Sequence, residues 1–235
     1  MTGVNHAFGT EINDILLTAL GLAAGEVYGF ERLSVELEGH GREDIIDNVD
    51  LSRTVGWFTS LYPVVLEISF PHDLARQVKE IKEYLRRVPN KGIGYGILKY
   101  LTSDRFKQGI VFKRKPQICF NYLGQFDADV EQMSFKIAEE SPGLNHSPER
   151  RREYELDVSG WISGRRLGIS VIYGKEQFKP ETIRKLTGAF HAQLIEIIEF
   201  CSSRREEELT PSDLTYDKLS IEDLGDINAL FNKQG

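Results

Sequence analysis

Residues 32–43 read RLSVELEGHGRE. Over 32–38 the apolar Leu33, Val35 and Leu37 alternate with Ser34, Glu36 and Glu38. Alternation with a period of two predicts a strand buried on one face. Gly39 and Gly41 then break the pattern, and Arg42 follows. The strand thus ends on a carboxylate, Glu38, on the face opposite the apolar residues, with a guanidinium just past a sharp turn. A strand end is a rigid seat for a general base. A guanidinium there can hold a carboxylate ionised or bind a phosphate oxygen.

Reading outward from this strand, the chain alternates helices and strands. Residues 10–23 carry Ile12, Ile15, Leu16, Ala19, Leu20 and Ala23 at helical spacing, with Thr10 as the expected N-cap. A second strand is expected at 63–69 (PVVLEIS), and Pro71 is expected to open a helix with Leu74, Val78, Ile81 and Leu85 on one face. Pro89 to Gly96 reads as a glycine-rich loop, with a short helix over Ile97 to Leu101. Residues 117–123 (QICFNYL) read as a strand ending at Gly124, and Ser141 to Pro148 as a polar loop. Strands follow at 153–163 and 166–173, joined at Ser163-Gly164. Pro180 starts a long helix with Ile183, Leu186, Phe190, Leu194, Ile197 and Cys201 inward. The tail after Ser202 is charged and holds one more helical segment near Ile221 to Phe231. This order predicts the α/β class, a mixed sheet covered by helices.

Composition limits the functions available. The net charge of −7 argues against general nucleic-acid binding, which needs clustered Lys and Arg. The basic runs Lys113-Arg114-Lys115 and Arg150-Arg151-Arg152 read as solvated surface. Cys119 and Cys201 form no C-x-x-C pair, so no zinc or redox motif is expected. The five histidines show no H-x-x-x-H or H-E-x-x-H spacing, so no metal site is expected, and there is no G-x-S-x-G elbow. Met1 to Gly9 lacks the apolar run of a signal peptide, and no stretch approaches the ~20 apolar residues of a membrane helix. A reduced, cytoplasmic setting with no membrane contact is the expectation.

Four segments could carry chemistry. In EGHGRE they are Glu38 and Arg42. In RTVGWFTSLYP, Trp57, Phe58 and Tyr62 cluster after Gly56, as a core-forming turn into a strand would require. VPNKGIGYG could cradle a phosphate but lacks the Walker and dinucleotide spacings. In FNYLGQFD, Asn121 and Tyr122 offer an amide and a phenol able to orient a carbonyl. Taken singly, each segment is satisfied by a structural reading, as a tight turn or an ordinary strand.

Their joint order is more specific. NDILLTALG (Asn13 to Gly21), EGHGRE, RTVGWFTSLYP (Arg53 to Pro63), PNKGIGYG (Pro89 to Gly96) and FNYLGQFD (Phe120 to Asp127) resemble, in sequence, the later core motifs of nonribosomal peptide synthetase epimerization domains. The resemblance implies a chloramphenicol-acetyltransferase-like lobe over residues 1–205, followed by the charged tail 206–235. It implies two lobes around a tunnel that admits the phosphopantetheine arm of a peptidyl carrier protein, with no cofactor in this chain. Glu38 would be the catalytic carboxylate, and Arg42, Asn121 and Tyr122 would line the site. The family's HHxxxDG motif does not occur in this sequence. A C-terminal lobe is therefore expected, lacking its N-terminal partner lobe, with an exposed apolar inter-lobe surface prone to self-association. Two other readings remain open at this point: a condensation-domain lobe that forms peptide bonds, and a non-catalytic module that docks carriers.

Overall fold

The computed structural model describes residues 2–107, 109–112, 115–125, 140–141, 143, 147, 149–215 and 219–232. The chain opens with α1 (Thr2–His6) and α2 (Ile12–Tyr28), then β1 (Arg32–Gly39) and β2 (Ser60–Glu67). Next come α3 (Leu74–Arg86), a 3₁₀ turn (Pro89–Gly92), α4 (Ile93–Gly96), a π-helical turn (Ile97–Leu101) and α5 (Asp104–Lys107). The strands β3 (Ile118–Gln125), β4 (Leu156–Ser163) and β5 (Arg166–Tyr173) follow. The long α6 (Pro180–Ser203), a 3₁₀ turn (Pro211–Asp213) and α7 (Ile221–Asn232) complete the chain.

The five strands form one mixed sheet in the order β2-β1-β3-β4-β5. β1 runs antiparallel to β2 but parallel to β3, and β3 is parallel to β4. β4 and β5 form an antiparallel hairpin whose turn residues Gly164 and Arg165 both have positive φ, as a two-residue turn matched to strand twist requires. The expected α/β mixed sheet is thus the observed one.

One face of the sheet is covered by helices. Every residue of α2 from Asp14 to Ala24 is buried, because the helix packs at once on α6, α3 and the sheet. A helix apolar all round belongs inside. Gly21 marks the closest approach: a Cβ there would stand 2.4 Å from Ile68 Cδ1. α6 contributes the inward set expected from its period, with Ile183, Leu186, Phe190, Leu194, Ile197 and Cys201 all buried.

Several boundaries differ from the sequence reading. The residue capping α2 is Glu11, not Thr10, and the Glu11 N–H donates to Asp14 Oδ2 at 2.7 Å. Thr10 is instead buried, its N–H donating to Asn5 O at 3.0 Å. Pro71 lies in a turn, and α3 begins at Leu74 because the Asp73 side chain accepts from Arg76 N. The expected strand 63–69 is shifted to 60–67, in register with β1. Pro89 to Gly92 is a tight turn with Asn90 and Lys91 in the left-handed region, and Ile93 to Gly96 winds into a helical turn rather than an open loop. β3 passes through Gly124 to Gln125, with an irregular register between Tyr122 and Gln125. Lys113, Arg114, Phe126 and Asp127 fall outside the described residues, as does most of the expected polar loop at 141–148.

Buried charge fastens the segment after α6. Lys82 is fully buried on α3, and its ammonium donates to Phe8 O at 2.7 Å and to both oxygens of Asp213, at 2.7 and 2.6 Å. Next to it, buried Glu83 accepts from Thr210 Oγ1 at 2.5 Å and from Ser212 N and Oγ. The chain therefore stays on the packed body through Asp213. Burial alone would raise the Asp213 carboxyl, but the bonds from Lys82 and Thr210 outweigh it and hold the group below the usual range. A group lowered in the folded state stabilises at neutral pH, and that contribution is lost as pH falls through its folded value.

Asp213→Ala should strand the Lys82 ammonium. Breaking a buried pair costs about 3–5 kcal/mol, and because Asp213 keeps 23% of its side chain exposed the lower end is expected, measured as lost stability in urea unfolding at neutral pH. Lys82→Met, which removes the charge but keeps the volume, should cost less.

Candidate active site

The site is a consequence of parallel pairing. In the β1–β3 register Glu36 stands beside Cys119 and Leu37 beside Phe120. Alternate residues share a face, so Glu36, Glu38, Cys119 and Asn121 lie together opposite the helices. Asn121 Nδ2 donates to Glu38 Oε2 at 2.5 Å, and the Cys119 thiol approaches Glu38 Oε1 at 3.9 Å. Deeper along the same face, buried Glu36 accepts from the Tyr154 hydroxyl. The next strand carries Asp157 opposite Cys119, tied to Arg152 at 2.5 Å.

This setting shifts the titrating groups. Partial burial pushes the Glu38 carboxyl up, and the negative charge of Asp157 adds to it, against the opposing bonds from Cys119 and Asn121. Burial pushes the Cys119 thiol up to about 12, aided by the same carboxylates. That thiol stays protonated and unreactive at neutral pH.

Glu38 opens into a cleft of about 500 Å³ at the end of the sheet, with Asn13, Tyr62, Lys91, Asn121 and Tyr122 in its walls. Burial raises both phenols, Tyr62 with a further contribution from Glu43, so both are hydrogen-bond donors across the working pH range. Asn13 Oδ1 is buried there without a hydrogen-bond partner. Asp14 is buried by α2 and paired with Arg86 at 2.8 and 3.2 Å, which joins α2 to α3 at the cleft floor. Larger open grooves lie beside Phe30 and His72, about 590 Å³, and between 204–209 and α7, about 970 Å³. Glu38 with its amide partner marks the smaller cleft as the chemical one.

Three of the four expected site residues, Glu38, Asn121 and Tyr122, line this cleft, and Arg42 does not. The Arg42 Nη1 donates to Leu51 O at 2.5 Å and its guanidinium lies 4.2 Å from the Phe58 ring centre. The turn itself dictates this path. Gly41 has φ of +66°, and a Cβ there would fall 1.7 Å from Phe58 O, so only glycine fits. His40 Nδ1 accepts the Arg42 N–H at 3.0 Å, and its Nε2 stands 3.1 Å from Glu43. Lys91, in the glycine-rich segment, lies 3.9 Å from the Glu43 carboxylate.

Sequence reading missed Cys119, Lys91 and the Glu36–Tyr154 pair. Cys119 shares a face with Asn121 by simple alternation, a signal present in QICFNYL, but its placement beside Glu38 needs the register of two distant strands. Among the described residues no group of three His, Cys, Asp or Glu side chains could hold a metal, and no helix is long and apolar enough to cross a membrane.

The chain is similar to known proteins in sequence and fold. The sequence model of the Condensation domain family matches residues 1–220. Surfactin synthase subunit 1 of Bacillus subtilis (strain 168) is 47% identical over 230 residues, which is 98% of this chain and 6% of that protein. Gramicidin S synthase 1 of Brevibacillus brevis is 45% identical over 235 residues, 97% of this chain and 21% of that protein. The crystal structure of the epimerization domain from the third module of tyrocidine synthetase B matches with a TM-score of 0.80 at 44% identity, covering 86% of this chain and 44% of that one. The PapA2 acyl transferase, at 14% identity and a TM-score of 0.59 over 81% of this chain and 40% of that one, shares the fold alone. The chain therefore spans a small part of its curated relatives and less than half of the matched epimerization structure.

The raised Glu38 carboxyl has a sign that stability measurements can check. A carboxyl raised in the folded state favours folding while protonated, and that advantage is lost as pH rises through its folded value. Glu38→Gln should therefore gain stability relative to the parent as pH rises above the free-glutamate value of about 4.3, read from paired urea melts. A difference that stays flat with pH would contradict the shift.

Proposed function

The chain belongs to the condensation-domain family, and from that premise we propose that it is part of an epimerization domain in a nonribosomal peptide synthetase. Its substrate is an L-aminoacyl or L-peptidyl thioester, carried on the phosphopantetheine arm of a carrier protein, which is converted to the D form. The observation that carries this reading is Glu38, aimed into the cleft by Asn121 at the end of the central parallel strands.

The chemistry follows from what a thioester requires. Its Cα–H is weakly acidic, so removal needs a positioned base and donors for the developing enolate oxygen. The Glu38 carboxylate takes the Cα proton, and the electron pair of the C–H bond passes into the thioester carbonyl. The raised proton affinity of Glu38 improves it as a proton acceptor. The Tyr122 and Tyr62 phenols, both kept protonated, are among the donors this cleft offers to the enolate oxygen. Asn121 acts on the base, because its amide is engaged with Glu38 Oε2. Return of a proton to the opposite face of Cα regenerates the thioester with inverted configuration. A facing lobe of a two-lobed domain is the natural source of that proton and closes the cleft into a tunnel.

The reading is tested by Cα deuterium uptake on an L-aminoacyl carrier in heavy water, with the two-lobed domain that carries this segment. Glu38→Gln should cut the uptake by about 10²–10⁴-fold, the usual worth of a general base, while carrier binding is unchanged. Uptake at the parental rate would remove Glu38 as the base. Peptide-bond formation without any Cα exchange in the parent domain would assign the segment to condensation instead.

A further inference from the structure

We propose that Arg42 is a positioning residue, a staple that ties the turn after Glu38 to the far side of the loop 43–59 and makes no contact with substrate. The proposal rests on three separate contacts. The Arg42 Nη1 donates to Leu51 O, which also accepts the Thr54 N–H at 3.1 Å, so one carbonyl joins Arg42 to the 51–54 turn. The guanidinium face covers the Phe58 ring at 4.2 Å. Beside it the backbones of Gly41 and Phe58 meet so closely that no side chain fits between them.

The loop needs such a tie. Between its ends it exposes large apolar side chains, Ile46 at 60%, Val55 at 99% and Trp57 at 90%. A segment that buries so little apolar surface has few contacts of its own to hold it and opens locally at low cost. Its own backbone bonds are short-range: Ile45 to Glu43, Val49 to Ile46 and Thr54 to Leu51. Arg42 adds a side-chain bond across the loop, from a position only four residues beyond Glu38. The contact also explains the residue type. A planar guanidinium can stack on a ring and aim an N–H in its own plane at a carbonyl, which an ammonium cannot.

These alternatives separate in a double-mutant cycle read by amide hydrogen exchange on this chain, a measurement that does not depend on the epimerase reading. Arg42→Ala and Phe58→Leu should each speed exchange at Ile45, Val49 and Thr54 by about tenfold, the equivalent of one charge-assisted hydrogen bond, with β1 amides unchanged as the control for folding. The double variant should exchange no faster than either single, and Arg42→Lys should behave as Arg42→Ala. Parental exchange in Arg42→Lys or Phe58→Leu, or additive effects in the double variant, would overturn the staple. In the two-lobed domain, which does rest on the proposed function, Arg42→Ala and Phe58→Leu should both lower kcat for Cα exchange and leave KM for the loaded carrier unchanged. A raised KM with parental kcat, in Arg42→Ala alone, would instead make Arg42 a ligand of the carrier's arm.

Discussion

The parallel pairing of β1 with β3 is the constraint on which the rest of the structure depends. It sets residues 83 positions apart, Glu38 and Asn121, within hydrogen-bonding distance. A parallel pair cannot be joined by a tight turn, so the chain between must cross over the sheet. That crossover brings β2 to the edge beside β1 and α3 onto the covered face. α2 fills the space beneath, so apolar that none of its central residues reaches solvent. The buried face fixes the register, because a slip of one residue would exchange Leu37 for Glu38 across the sheet.

On the uncovered face the same register collects polar groups that would be costly if scattered. Glu36 is satisfied by Tyr154, Glu38 by Asn121, and Asp157 by Arg152. Glu38 differs from the other two in where it sits. It is at the strand end, half-buried, with a neutral donor on one oxygen and an open cleft before it. A carboxylate paired with a cation would be held ionised and poor at accepting a proton. One paired with an amide keeps its acceptor strength, which is the property that Cα proton removal demands. Arg42 stands outside the cleft, in keeping with this division: the nearest guanidinium in sequence is spent on Leu51 and Phe58.

Much of this was legible in the sequence, for reasons that are local. The alternation from Leu33 to Glu38 gave the strand and the face of the carboxylate, and the period of Ile183 to Cys201 gave the inward side of α6. What could not be read depends on partners distant along the chain. Thr10 has the chemistry of a helix cap, yet Asn5 claims it and the cap falls to Glu11. Lys82 and Glu83 look like the solvent side of an amphipathic helix until residues 210–213 return to cover them. Arg42 pointed to catalysis because it follows Glu38 so closely. Gly41 turns the chain toward Phe58, and the side chain goes with it.

The sheet holds Glu38 as a carboxyl of raised proton affinity, lifted by burial against the opposing bond from Asn121. The most direct test is a carbon-13 NMR titration of the Glu38 side-chain carboxyl in this chain. The midpoint should lie above the value of about 4.3 for a free glutamate. A midpoint at or below that value would mean that Glu38 is held as an ordinary surface anion, and would contradict that raised affinity.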